Sequence, residues 1–295
     1  MRLLIDTDIG DDIDDVLAIG LALKKGLNLV GVTTVFRDAK KRAQIVKGVF
    51  CGAAMNVPVF AGYSEPMSKS RVNGRFYYDG CATGEISNKE EDAVDFIIDC
   101  AKKYGQDLTL LVIGAETNIA YACRKAPEIM KGIGSCVIMG GSFFQHYDEW
   151  NIACDPLAAK IVAESGMNIT YVPHDITKNI SIGEDNLDYV LHGAFNGVTK
   201  CVAETVAEWM RRDGWTPLLH DPVALYYCIK PELFETQKIR AKFFGEGELA
   251  GLSLNLNDFT AFIGDKNVYP EINVAVKVDS DFIVKDFMQT LFGDR

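Results

Sequence analysis

The sequence predicts an α/β domain with an open, mostly parallel sheet and helices on both faces. Three observations carry that expectation. Short β-branched runs alternate with segments of helical apolar period through residue 172, the signature of successive β-α-β units. The stretch 108–113 is almost continuously apolar, as a strand buried on both faces must be. The chain has 295 residues and is 48% hydrophobic, enough to build one large core.

The elements follow in order. Residues 3–5 form a first strand and lead to a helix over 14–24. The β-branched run 29–35 precedes a helix near 39–54, and 57–60 is a short strand. Val94, Ile97, Ile98 and Ala101 fall at helical spacing and mark one buried face. Residues 136–139 and 169–172 repeat the buried-strand pattern of 108–113. Between them Asp155-Pro156 opens a helix, with an aspartate able to cap and a proline at the first helical position. Residues 62–88, rich in Gly, Ser, Tyr and Arg, read as a long loop over the sheet edge. Helices are expected over 196–212, 222–229 and 281–291, and strands over 239–244 and 273–279. No repeat or linker divides the chain, so residues 1–295 read as a single Rossmann-like domain. In such open sheets ligands bind at the carboxyl ends of the strands.

Composition narrows the function. A formal net charge of −11 argues against nucleic acids and anionic membranes as partners. No apolar stretch reaches the length of a membrane span. Met1-Arg2 runs straight into a strand, which reads as the absence of a signal peptide. Eight cysteines are scattered without a C-x-x-C pair, as expected of reduced, mostly buried thiols in a cytoplasmic protein.

The feature that asks for chemistry is a run of six carboxylates: Asp6, Asp8, Asp11, Asp12, Asp14 and Asp15. They lie between two buried-looking elements, at the rim where ligands are expected. Two carboxylates ~4 Å apart repel by roughly 4 kcal/mol at an effective dielectric near 20. A helix N-terminus returns only about 0.3–1 kcal/mol per acid, and capping accounts for one or two of the six. Protonation or a bound cation must balance the rest. Oxygen ligands without Cys or His suit a hard ion, Ca²⁺ or Mg²⁺. Asp6 and Asp8 share one side of a strand end, and the turn at Gly10 brings Asp14 and Asp15 back at a helix start. A D-x-D after a first strand also occurs in haloacid-dehalogenase-type phosphatases.

Three later segments separate these possibilities. Gly114-Ala115-Glu116-Thr117-Asn118-Ile119-Ala120 follows one buried run. Met139-Gly140-Gly141 follows the next, with Glu149-Trp150-Asn151 and Asp155-Pro156 beyond it. Leu219-His220-Asp221-Pro222 opens a late helix. Together with Asp6-Thr7-Asp8-Ile9-Gly10 and Asp14-Asp15, they resemble the inosine-uridine-preferring nucleoside hydrolase family, in the same order along nearly the whole chain. The resemblance implies a nucleoside N-ribohydrolase with bound Ca²⁺ and a small-molecule nucleoside substrate, assembled as a homodimer or homotetramer. It implies metal ligation by Asp8, Asp15, Asp221 and the backbone carbonyl of Thr117. It implies ribose contacts from Asp14, Glu149 and Asn151, with Met139 lining the sugar pocket. Asp8 would be general base and His220 would stand beside the leaving base. Asp6 would brace the ligands from behind.

The sequence also departs from the family. The acidic turn is longer than the usual D-x-D-P-G-x-D-D form, Ile9 replaces the proline, and Asp12 competes with Asp14 for the ribose. Arg37-Asp38 stands where Gly-Asn is common, which makes Asp38 a candidate sugar contact. The loop histidine of some members is replaced by Phe76-Tyr77-Tyr78-Asp79-Gly80. Tyr77, Tyr78, Phe144 and Trp215 are candidates to stack on a base. His174-Asp175 reads as structural support at the same rim, and His146 and His192 as surface or satisfied residues. The competing readings are a Mg²⁺ phosphatase with Asp6 as nucleophile, and a nucleoside- or ribose-binding protein without turnover.

Overall fold

The computed structural model describes residues 1–145, 147–212, 214–258 and 265–293. Strand β1 (Arg2–Thr7) leads into helix α1 (Asp14–Lys24), β2 (Leu29–Thr34) into α2 (Ala39–Gly52), and a short β3 (Val59–Ala61) into a loop that ends at α3 (Glu90–Tyr104). β4 (Leu108–Ile113) is followed by α4 (Thr117–Lys125) and α5 (Pro127–Lys131). β5 (Ser135–Met139) is followed by α6 (Trp150–Cys154) and α7 (Pro156–Ala163). β6 (Ile169–Val172) opens onto α8 (His174–Thr177), α9 (Glu184–His192), α10 (Gly197–Met210) and α11 (His220–Ile229). β7 (Phe234–Phe243), β8 (Ser253–Asn255), β9 (Glu271–Val278) and α12 (Ser280–Phe292) complete the described chain.

The strands pair in the order β3-β2-β1-β4-β5-β6-β9-β7-β8. Pairing is parallel from β3 across to β9. β7 then runs antiparallel to both β9 and β8. The expected mostly parallel α/β sheet is therefore present, with an antiparallel flank. Alternate residues serve opposite faces. Leu3, Ile5, Leu111, Ile113 and Val172 pack on the side of α1, α2, α10, α11 and α12. Leu4, Leu110, Val112, Ile138 and Tyr171 pack on the side of α3, α4 and α7. Two buried faces explain why 108–113 has no polar alternation.

Several boundaries differ from expectation for physical reasons. β7 begins before Ile239, because Glu235–Lys238 pairs through its backbone while its side chains are exposed. The brief helices α6 and α8 are too short to display a period. Residues 62–88 contain no helix or strand, but they return across the carboxyl ends of the strands as well as the edge. The backbone N–H groups of Met67 and Ser68 donate to the Asp155 carboxylate at 2.7 and 3.2 Å. Asp155 also caps α7 by accepting from Ala158 N–H at 3.3 Å.

The strand order reverses between β1 and β4. The chain winds outward through β2 and β3, then returns to the other side of β1. That reversal opens a crevice at the strand ends, where the acidic turn sits.

Candidate active site

The acidic turn is held by groups distant in sequence. Gly10 adopts φ 124°, and a Cβ there would lie 2.8 Å from the Phe76 ring and 3.2 Å from Ile45. Only glycine lets the chain turn so close to that ring. The fully buried Arg42 of α2 donates to the carbonyls of Asp8 and Ile9, to that of Phe36 at 2.7 Å, and to the Asp11 carboxylate at 3.3 Å. The Tyr78 hydroxyl donates to the Asp12 carbonyl at 2.9 Å and accepts from Gly10 N–H at 3.1 Å. Asp6 lies behind the turn and accepts from Thr33 and, at 2.8 Å, from Asn118. Burial pushes its carboxyl up to about 7.

Four aspartates converge in front of this scaffold. Ligand oxygens of Asp14, Asp15 and Asp221 lie within 4.8 Å of one another, all buried. Asp14 and Asp15 open α1, and Asp221 belongs to the first turn of α11. Thr7 donates its hydroxyl to Asp15. Asp8 lines the same cavity and acts electrostatically on the other three. Burial raises Asp14, Asp15 and Asp221 well above the ordinary carboxylate range, and repulsion from neighbouring aspartates, Asp8 among them for each, raises them further. Burial likewise carries Asp8 up to about 7. A divalent hard cation fits this set, because oxygen donors within one ion's reach are what such an ion takes.

The structure sorts the expected ligands. Asp15 and Asp221 lie within one ion's reach of each other, and Asp14, expected as a ribose contact, joins them. Gly114, after β4, presses on Asp8: a Cβ there would stand 2.9 Å from the Asp8 carboxylate. Thr117 is buried at the start of α4 and donates its hydroxyl to Asp155 at 2.7 Å. It is absent from the lining of the cavity.

A cavity of ≈ 330 Å³ spreads from these acids. Met139, Glu149 and Asn151 line one wall. Glu149 caps α6, accepting from Asn151 N–H at 3.0 Å and Ile152 N–H at 3.1 Å, and also takes Gly141 N–H at 3.0 Å. The Asn151 amide donates to the Met139 carbonyl at 3.1 Å. On another side stand His220 and His174, their rings stacked at 5.1 Å. His220 Nδ1 meets the Thr177 hydroxyl at 2.7 Å, and His174 Nδ1 meets the Tyr147 hydroxyl. Burial, with His174 adding to it, pushes the His220 imidazole down to about 3, so it is neutral near pH 7.

Some expected residues lie elsewhere. Asp38 is exposed and accepts from Lys41 N–H at 3.0 Å as the N-cap of α2, away from the cavity. Tyr78 is fully buried beneath the acidic turn and offers no face to a base. Phe144 and Trp215 are exposed outside the cavity lining, whereas Tyr77 lines it. His192 is exposed beside Asp188, and His146 lies outside the described residues. Sequence reasoning missed Arg42, Trp150 and Trp209, and it gave His174 a place only behind the site. Arg42 did leave a trace, a charge on the apolar face formed by Ala39, Ala43 and Val46. The tryptophans left none: Trp209 occupies a helical position that reads as packing, and Trp150 opens a helix too short to show a period.

Comparison with known proteins places this geometry in context. The sequence profile described as inosine-uridine preferring nucleoside hydrolase matches residues 3–285. Uridine nucleosidase 1 of Arabidopsis thaliana is 29% identical over 96% of this chain and 91% of its own length. The solved structure of a purine-preferring ribonucleoside hydrolase from Gardnerella vaginalis superposes with a TM-score of 0.83 and 27% identity, covering 99% and 98% of the two chains. A plant nucleoside hydrolase, PpNRh1, superposes with a TM-score of 0.85 over 99% of both chains at 24% identity, which speaks for the fold.

Proposed function

Because the chain belongs to the inosine-uridine preferring nucleoside hydrolase family, it is a nucleoside N-ribohydrolase, and we propose that it works with a bound Ca²⁺ and with Asp8 as general base. Family membership sets aside the phosphatase reading; turnover, as against binding alone, is what the assay below reads. The reaction adds water across the N-glycosidic bond of a ribonucleoside and yields free base and ribose. The convergence of Asp14, Asp15 and Asp221 within 4.8 Å carries the metal reading. When bound, Ca²⁺ supplies a Lewis-acidic centre that fixes the attacking water and the ribose diol.

The protein's own groups do the remaining work. Asp8, ionised, takes a proton from the attacking water. The surrounding carboxylates favour the positive charge that develops on the sugar. Asp14, Glu149 and Asn151 receive ribose hydroxyls and hold C1′ in line with the water, while Met139 packs against the sugar. His220, neutral, donates a hydrogen bond to the departing base, its ring oriented by Thr177. In this reading the Thr117 carbonyl contributes to the cation from the start of α4. Asp38 acts on helix stability and not on the sugar.

A second arrangement is favoured by one observation. The close triplet contains Asp14 and not Asp8, which suits Asp14 as a ligand and leaves Asp8 free as base. The unpaired state of all eight cysteines supports a reducing compartment such as the cytoplasm. Assembly as a homodimer or homotetramer, read by light scattering, completes the proposal.

The test is a panel of purine and pyrimidine nucleosides assayed for free ribose. Both classes are needed because the relatives' names point to both uridine and purines. Ribose release that stops on chelation and returns with Ca²⁺ is expected. No release from any nucleoside with Ca²⁺ present overturns the reading.

A further inference from the structure

We propose that His174 is a second imidazole of the leaving-base wall, and that its Nε2–H selects bases carrying a carbonyl oxygen over those carrying an amino group at the same position. This rests on the ribohydrolase reading above and adds a specificity-determining residue to it. The sheet places His174 on the base side. Neighbouring strands run in the order β1-β4-β5-β6. The acidic turn follows β1, Met139 ends β5, and His174 opens α8 just after β6. The site thus runs along the strand ends from the acids, past the sugar-lining Met139, to His174. A nucleoside with its diol at the acids points its base toward β6. His174 and His220 both line the cavity, with ring centroids 5.1 Å apart and planes 20° from parallel. His220 adjoins Asp221 in sequence, and His174 extends the imidazole wall across the end of β6.

The ring of His174 is held in place. Its backbone N–H donates to the Gly141 carbonyl at 3.0 Å. The Tyr147 hydroxyl meets its Nδ1, with the two rings edge to face at 5.4 Å. The segment carrying Tyr147 is latched to the same short helix. The Asp175 carboxylate accepts from the N–H groups of Phe143 at 2.8 Å and Phe144 at 3.2 Å, and Lys178 donates to Gln145. Burial, with Lys178 adding to it and Asp175 opposing it, holds the His174 imidazole below its ordinary value. The ring is therefore neutral near pH 7 and carries one N–H. A phenol is a stronger donor than a neutral imidazole, so Tyr147 gives its proton to Nδ1 and the ring's own N–H stands on Nε2. Among the described residues no group hydrogen-bonds Nε2, which leaves it to a ligand in the cavity.

The chemistry of the bases turns that donor into a filter. Uracil and hypoxanthine carry a carbonyl oxygen where cytosine and adenine carry an amino group. A fixed N–H pairs with the oxygen. Against an amino group it meets a second donor, and both lose a partner in a half-buried place.

The experiment measures kcat/KM for uridine against cytidine, and for inosine against adenosine, in the Ca²⁺-loaded enzyme and in His174→Phe and Tyr147→Phe. His174→Phe keeps a ring stacked on His220 and removes the donor. For whichever base class is cleaved, the ratio of carbonyl to amino substrate should be about tenfold or more. It should collapse toward one in His174→Phe and fall in Tyr147→Phe, where the tautomer is released. Calorimetry in the Asp8→Asn background should show uridine binding more tightly than cytidine, with the difference lost when His174→Phe is added. A ratio near one in the native enzyme, or a ratio that survives His174→Phe, overturns the proposal. An equal loss on all four substrates marks the ring as mere support for His220 and overturns it too. If no nucleoside is cleaved, the ribohydrolase reading falls. Equal affinity for uridine and cytidine overturns the role of His174 on its own.

Discussion

In the proposed mechanism Asp8 and Asp14 divide the labour of the site, and substitutions that keep their shape tell them apart. Asp8→Asn removes a base without removing bulk, so kcat for nucleosides should fall by about 10²–10⁴. Asp14→Asn separates the two arrangements. As a metal ligand, Asp14 lost should weaken Ca²⁺ binding by about tenfold or more. As a ribose contact alone it should raise KM and leave Ca²⁺ affinity, read by calorimetry, unchanged. Asp38 gives a contrasting result. Its carboxylate accepts from Lys41 N–H at the start of α2, so Asp38→Ala should cost about 1 kcal/mol of stability. KM should not move, and a rise in KM without a change in melting temperature would return Asp38 to the sugar. The acids were legible in the sequence because mutual repulsion makes such a cluster improbable without a purpose. Arg42 and Tyr78 were not legible in that role, because they act on main-chain carbonyls that carry no side-chain signature.

The elements most readable in advance were those with long periodic or doubly buried faces. Helix α1 begins at Asp14 and ends at Lys24 as anticipated, and β4 and β6 occupy the expected spans. Short helices such as α6 and α8, and the exposed half of β7, were hidden because local periodicity needs length and burial. The antiparallel pairing of β7 with β9 is a choice between distant segments and leaves no local trace. The long loop before α3 was read as an edge covering, yet it supplies the floor of the site. Tyr78→Phe tests that role. Its hydroxyl serves both Gly10 and Asp12, so its removal strands buried main-chain groups at about 1–3 kcal/mol. Chemical denaturation should read that loss, and an unchanged midpoint would show that the loop does not hold the turn.

For the whole molecule, the acids make stability depend on both protons and metal. Asp6 and Asp8 are raised from 3.8 to about 7 by burial. Raised carboxyls stabilise the fold fully below their unfolded values, and that contribution disappears as pH climbs through the folded values. The metal-free protein should therefore melt at lower temperature as pH goes from about 5 to about 8. Ca²⁺ at about a hundredfold its Kd should add about 2.7 kcal/mol, with the larger rise at the higher pH, where protons no longer compete. A melting temperature flat in pH without metal, and unmoved by Ca²⁺, would contradict this. The span of the scaffold has a further consequence for the order of assembly. The bond from Arg42 to Asp8 bridges 34 residues, that from Gly10 to Tyr78 bridges 68, and that from Asn118 to Asp6 bridges 112. Contacts of such separation form late, after much of the chain entropy has been lost. A cation held by this scaffold has little to grip in the folding transition state. Stopped-flow refolding should run at the same rate with and without Ca²⁺, while unfolding slows in its presence. The ion then acts as a latch on the finished molecule rather than as a seed for building it.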